Sequence, residues 1–126
     1  MSDRRSGPGS GPIEDVERKP AWPGGKTVEA YVISEVEALD PELFEKYREL
    51  ANAAVAKHGG RYIVRGGAIE TVEGENSTGR IVIIEFPGME AAREWYRSAE
   101  YAEALALSRR ALKRRLIFVK GAPHSP

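Results

Sequence analysis

Arg65 and Glu85 are the residues whose types and spacing first suggest chemistry in this chain. Arg61–Arg65 and Arg80–Phe86 read as strands on either side of a polar turn, and folding that hairpin carries the end of the later strand toward Gly66-Gly67. The guanidinium and the carboxylate are therefore expected to approach each other on one side of a sheet. Such a pair among apolar neighbours is costly unless matched, and it can orient a carboxylate or carbonyl group of a substrate. The alternative for the same pair is a structural salt bridge. Tyr47, Trp95, Tyr96 and Tyr101 form a second set, contributed by both helical regions of the chain. Lining a cleft between helices and sheet, they would suit a small planar organic molecule. Packed away, they are core residues with satisfied hydroxyls. His58 stands where a helix ends. It is expected either to face a cavity as a general base or to cap the helix at the surface, where the dipole favours its protonated form.

Other chemistries find little support. His58 and His124 lie far apart and there is no cysteine, so neither a zinc nor a haem site is expected, and no metal and no cofactor is predicted. Arg109, Arg110, Lys113, Arg114 and Arg115 form a basic cluster. At 109, 110, 113 and 114 the charges are predicted to share one face of a helix's last turns, where a solvated face is the preferred reading over an anion or nucleic-acid site. The chain holds 19 basic and 19 acidic side chains, so bulk charge favours neither nucleic acid nor an anionic membrane as partner. No Gly-rich phosphate loop, Ser-His-Asp order or nucleophile elbow occurs. No apolar run approaches the roughly 18 to 20 residues of a membrane helix, and the amino terminus lacks the apolar segment of a signal peptide. A soluble, cytoplasmic protein is the expectation.

The elements that must position these residues are legible in order. A chain of 126 residues makes one domain. Residues 1–26 are rich in Gly and Pro and read as a disordered tail, with Trp22 as an anchor beside the first strand. The folded domain is placed at 27–121, and 122–126 form a loose end. Val28–Val36 is a strand with bulk on both faces. Asp40 is the expected N-cap of a helix that begins at Pro41, buries Leu43, Phe44, Tyr47, Leu50, Ala51, Ala54 and Val55, and stops at Gly59-Gly60. Arg61–Arg65 is a second strand, interrupted by Gly66-Gly67 and resumed over 68–72, and 73–79 is a turn into Arg80–Phe86. Met89–Tyr96 and about Tyr101–Arg114 are helical with a kink between, and Leu116–Lys120 is the last strand.

This order, β-α-β-β-α-β, predicts an α+β, ferredoxin-like fold in which two helices cover one face of a four-stranded antiparallel sheet. Tyr31, Ile33, Ile81, Ile83, Ile117 and Val119 would then lie bare on the other face. An apolar patch of that kind predicts a homodimer paired sheet to sheet about a twofold axis.

The chain also resembles a known family. Arg65-Gly66-Gly67, Glu85-Phe86-Pro87 and Trp95-Tyr96-x-Ser98-x-x-Tyr101, in this order, are similar to the family called domain of unknown function 1330, with support from Asp40-Pro-Glu, Gly59-Gly60-Arg61-Tyr62, Arg80 and Val119-Lys120-Gly121. The resemblance spans about 28–121. It implies a place in the dimeric α/β-barrel superfamily, which includes cofactor-free monooxygenases, haem proteins, muconolactone isomerases and stress-responsive barrel proteins, and it implies a ligand cavity between helices and sheet. The family pattern also implies an arginine where this chain has Ser108; Arg109, which follows, is the substrate-binding candidate in its stead, displaced by about 100° of helical turn.

The functional expectation is a cofactor-independent enzyme or binding protein acting on a small organic molecule, in an oxygenase, isomerase or cyclase-type step of a biosynthetic or catabolic pathway. Arg65, Glu85 and His58 are the catalytic candidates, and Tyr47, Trp95, Tyr96, Tyr101 and Arg109 the substrate-binding ones. The alternative is a non-enzymatic homodimeric module.

Overall fold

The computed structural model describes residues 28–76 and 79–123, of which Glu29–Ala122 form one compact body. The tail over 1–26, with Trp22, lies outside the described residues, as does His124. The elements are β1 (Ala30–Ala38), α1 (Pro41–Lys57), β2 (Arg61–Arg65), β3 (Arg80–Phe86), α2 (Met89–Arg97), α3 (Ala99–Ala111) and β4 (Leu112–Lys120). The strands form one antiparallel sheet in the order β2-β3-β1-β4, the predicted ferredoxin-like arrangement.

Alternation along β1 decides which face meets the helices. Ala30, Val32, Ser34 and Val36 are buried, while Tyr31, Ile33, Glu35 and Glu37 between them are half-buried or exposed. Residues directly paired across the sheet share a face, so Val82, Ile84 and Phe86 of β3 and Leu112, Arg114, Leu116 and Phe118 of β4 join the helix side. There they meet Phe44, Tyr47, Ala51, Ala54 and Val55 of α1, Ala92 and Trp95 of α2, and Tyr101, Ala104 and Ala111 of α3 in one core.

The ends of the helices follow from capping chemistry. Asp40, in extended conformation, accepts hydrogen bonds from the Glu42 and Leu43 amides at 3.1 and 3.2 Å, and Pro41 takes the first helical position. The predicted kink between the later helices is a full break at Ser98. Its Oγ accepts from the Tyr101 amide at 3.1 Å and donates to the Trp95 carbonyl at 2.8 Å, ending one helix and starting the next. That turn fixes Trp95 against Tyr101, with ring centres 4.4 Å apart.

Two predicted boundaries are corrected. The second strand does not resume over 68–72: Gly66 adopts φ of +72°, donates its amide to the Ile81 carbonyl at 2.8 Å, and turns the chain out of the sheet. The stretch that follows is exposed, Val72 to 85%. The last helix ends at Ala111 rather than Arg114, because Leu112 is already extended and pairs with Ala38, which lets β4 match the nine residues of β1. Lys113, Arg114 and Arg115 therefore alternate across a strand and do not share a helix face with Arg109 and Arg110.

Candidate functional site

A cavity lies between α1 and the helix-facing side of the sheet. Ser34 and Val36 from β1, Val82 and Ile84 from β3, and Arg114 and Leu116 from β4 form its floor. Phe44, Tyr47, Arg48, Ala51 and Asn52 of α1 close it from above, Trp95 borders it from α2, and Tyr62, Arg65, Gly66 and Arg80 complete the wall toward the sheet edge. Measured as space open to the centres of water molecules, its volume is about 90 Å³.

The inner end is organised by one cation. Arg114 donates from Nη1 to the Tyr47 hydroxyl at 2.7 Å and from Nη2 to the Tyr101 hydroxyl at 2.9 Å. The two hydroxyls lie 2.7 Å apart, so one donates to the other. Two phenolic protons are present and only one is used in that contact, which leaves the pair one O–H with no acceptor among the described residues. Either hydroxyl can be the donor; with Tyr101 donating, the spare proton belongs to Tyr47, the one of the two that borders the cavity. Burial, reinforced by the neighbouring Tyr47, raises the Tyr101 pKa above the ordinary phenol value and keeps the group neutral. Burial acts to lower the Arg114 pKa, but the two phenol oxygens outweigh it and the guanidinium stays charged. Tyr62, on β2, is pushed up to about 12, again mainly by burial.

Two further polar atoms have no hydrogen-bond partner among the described residues: the buried Ser34 hydroxyl and Trp95 indole nitrogen, both on residues that border this cavity. A buried orphan of this kind costs about 1–3 kcal/mol, and two of them on residues that border one cavity call for an explanation.

The sequence candidates divide. Tyr47, Tyr101 and Trp95 come together, through a hydrogen-bonded pair of hydroxyls, an edge-on contact of Tyr47 with Tyr101 and a tilted contact of Trp95 with Tyr101. Tyr96 packs its ring edge on Trp95 and against Phe118, behind the cavity rather than in its wall. Arg65 and Glu85 do not meet. Antiparallel pairing sets Arg61, at the start of β2, opposite Glu85 at the end of β3, and a register shift between Tyr62 and Val64 turns Arg65 to the helix side, opposite Val82. Glu85 lies on the open face, accepting from Arg61 Nε at 2.7 Å and from the Tyr31 hydroxyl at 3.1 Å. Arg65 stacks its guanidinium 3.8 Å from the centre of the Tyr62 ring at the cavity wall. His58 ends α1 and pairs with Glu100 at 3.2 Å. Glu100 is held at about 2 by the amide at the start of α3 together with His58 and Lys57. Arg109 is exposed, and Ser108, where the family pattern implies an arginine, is buried with its hydroxyl donated to the Leu105 carbonyl at 2.6 Å.

Sequence reasoning missed Arg114, Arg80, Arg48 and Ser34. Two of them carried a usable signal. Ser34 is the one hydroxyl between Val32 and Val36 on the buried face of β1, and Arg114 alternates with Leu112, Leu116 and Phe118 once the strand is seen to start at Leu112.

Solved structures share this architecture. A protein of unknown function from Rhodopseudomonas palustris, RPA0582, is 20% identical over 77% of this chain and 85% of its own, with a TM-score of 0.63. SnoaB from Streptomyces nogalater, described as a cofactor-independent oxygenase, is 13% identical over 79% of this chain and 99% of its own, with a TM-score of 0.53. A dimeric protein of unknown function with a ferredoxin-like fold from Bacteroides fragilis is 13% identical over 74% of this chain and 96% of its own, with a TM-score of 0.51. At these identities the likeness concerns the fold. No curated protein matches the chain. The family model described as Domain of unknown function (DUF1330) matches residues 29–122, and the chain belongs to that family.

Proposed function

We propose that the chain binds a small organic molecule in the cavity between sheet and helices and acts on it without a cofactor, in an oxygenase, isomerase or cyclase-type step. The observation that carries this is a cavity whose inner end holds a charged Arg114 and one unassigned phenolic proton, bordered by Ser34 and Trp95, whose buried Oγ and Nε1 have no partner among the described residues. Among the described residues the cavity wall includes no carboxylate and no imidazole. Its chemistry is therefore stabilisation of negative charge on a substrate oxygen: the Tyr47 hydroxyl donates to that oxygen, and Arg114 behind it favours charge that develops there. Enolate- or phenolate-like anions are common to cofactor-free oxygenation, isomerisation and cyclisation, and a substrate that ionises readily needs little more than this. SnoaB, of the same fold, is described as a cofactor-independent oxygenase, which adds support at the level of analogy.

The functional unit is a homodimer in this reading. Ile33, Ile81, Ile83 and Ile117 are only half-buried on the open sheet face, and Val119 is 40% exposed beside them. A second copy stacked on that face would cover them and the Arg61–Glu85 pair. A chain without cysteine suits a cytoplasmic setting. The non-enzymatic module accounts for the open face but leaves Ser34 and Trp95 without a purpose.

The test is a thermal-shift screen of single-ring organic compounds against the native chain, Arg114→Met and Ser34→Ala. Binding to the folded state raises its melting temperature. Some compounds should stabilise the native chain and do so less in either variant, while Ser34→Ala without ligand gains about 1 kcal/mol by losing an unpaired hydroxyl. A library that stabilises nothing, or stabilises all three proteins equally, contradicts the proposal.

A further inference from the structure

The charge around the cavity is lopsided. Arg48, Arg65, Arg80 and Arg114 all border it, and among the described residues no Asp or Glu does, although the chain as a whole balances 19 basic against 19 acidic residues. Arg48 is offset by Glu45, 2.9 Å away. The other three have no carboxylate partner among the described residues: Arg114 donates to two neutral phenols, Arg65 stacks on Tyr62, and Arg80 lies 5.4 Å from the centre of the Phe44 ring. Like charges gathered at one concavity repel one another, and a low-dielectric wall strengthens that repulsion. The arrangement is most favourable with an anion present.

Position and size narrow the anion. Arg65 and Arg80 are exposed and so stand at the mouth, whereas Arg114 is tied to Tyr47 and to the buried Tyr101 at the inner end. Tyr62 takes a face of the Arg65 guanidinium by stacking and also hydrogen-bonds it, and the remaining N–H groups of this planar fork suit a carboxylate, which takes two parallel hydrogen bonds. A volume of about 90 Å³ on the water-centre measure corresponds to roughly six to nine water-sized volumes, close to one ring carrying one acid group. Val36, Val82, Ile84 and Leu116 provide an apolar middle between the two polar ends.

From this we infer that the cavity takes a single-ring organic acid, carboxylate outward at Arg65 and Arg80, with the opposite edge of the ring toward Ser34 and Tyr47. The inference rests on the cavity being a ligand site, as proposed above, and adds the charge class. Benzoate and benzamide are the probes, nearly identical in shape and differing in charge. In calorimetric titrations of the full chain at matched ionic strength, benzoate should bind about tenfold tighter than benzamide or better. The gap should shrink as salt is raised, and Arg65→Gln or Arg80→Gln should lower the benzoate-to-benzamide ratio about tenfold. Arg109→Gln, outside the cavity, controls for the loss of a surface cation and should leave the ratio unchanged. Equal affinity for acid and amide overturns the anion inference while the cavity itself stands as a binding site. Binding of neither probe at tens of millimolar also overturns it, and the library screen then judges the cavity separately. A ratio that Arg109→Gln lowers as much as Arg65→Gln overturns it too, since general surface charge would then explain the preference.

Discussion

Arg114 reaches across from β4 to hold the hydroxyls of Tyr47 and Tyr101 at 2.7 and 2.9 Å, while burial dominates the protonation behaviour of Tyr101. Three tyrosines, Tyr31, Tyr62 and Tyr101, have pKa values above the ordinary 10.0, each mainly through burial, and Tyr62 reaches about 12. A phenol whose pKa is raised by folding stays protonated in the native state after the unfolded chain has lost its proton. The unfolded state then binds fewer protons, so stability falls with rising pH between about 10 and 12 and is unaffected by these groups below that window. Absorbance titration near 295 nm should show these tyrosines ionising later in the native chain than in urea, with urea melts weakening over the same window. A native titration that superimposes on that of the unfolded chain would contradict the burial assigned to Tyr31, Tyr62 and Tyr101.

At the scale of elements, the positions of the site residues depend on where strands begin and on one register shift. The first helix was fully legible, because Asp40-Pro41 and Gly59-Gly60 bracket its apolar stripe and each works through its own backbone chemistry. The aromatic set was legible for the same reason, since helical spacing places Tyr47, Trp95 and Tyr101 inward. The Arg65–Glu85 pairing fails because an antiparallel hairpin sets the end of β3 opposite the start of β2, where Arg61 stands, and an irregularity of one residue at Ile63, which no local signal announces, turns Arg65 to the other face. Arg114 was hidden by its neighbours: a basic run from 109 to 115 continues a helical charge pattern, while the switch to strand at Leu112 comes from pairing with β1, a tertiary effect. The join between α1 and β2 offers a test of this packing. A Cβ on Gly60 would stand 2.7 Å from Phe86 Cε1 and 2.9 Å from Val55 Cγ1, in a part of the core where Phe86 is fully buried and Val55 nearly so. Gly60→Ala should therefore cost about 1–3 kcal/mol through overpacking, measured by urea denaturation. An unchanged midpoint would mean that the turn relaxes more easily than this packing allows.

For the whole molecule, the two sides of the sheet carry different duties. The helix side encloses the cavity, and the open side bears half-buried isoleucines around the Arg61–Glu85–Tyr31 contacts. Sedimentation at low micromolar concentration should find a homodimer, and Ile83→Lys, on the open face, should drive it toward monomer by placing a charge in the contact. A monomeric native chain would contradict the pairing without touching the cavity on the other side. The central claim is that a small organic molecule occupies that cavity, and Trp95 reports on it because the residue borders the space and its buried indole nitrogen has no partner among the described residues. The most direct measurement is the indole N–H resonance of Trp95 in a nitrogen–proton correlation spectrum, assigned with Trp95→Phe and followed while single-ring acids and their neutral analogues are added. The account predicts a saturable shift of that resonance with at least one of them, lost in Arg114→Met. A Trp95 signal that stays fixed through every titration of a folded chain would contradict it.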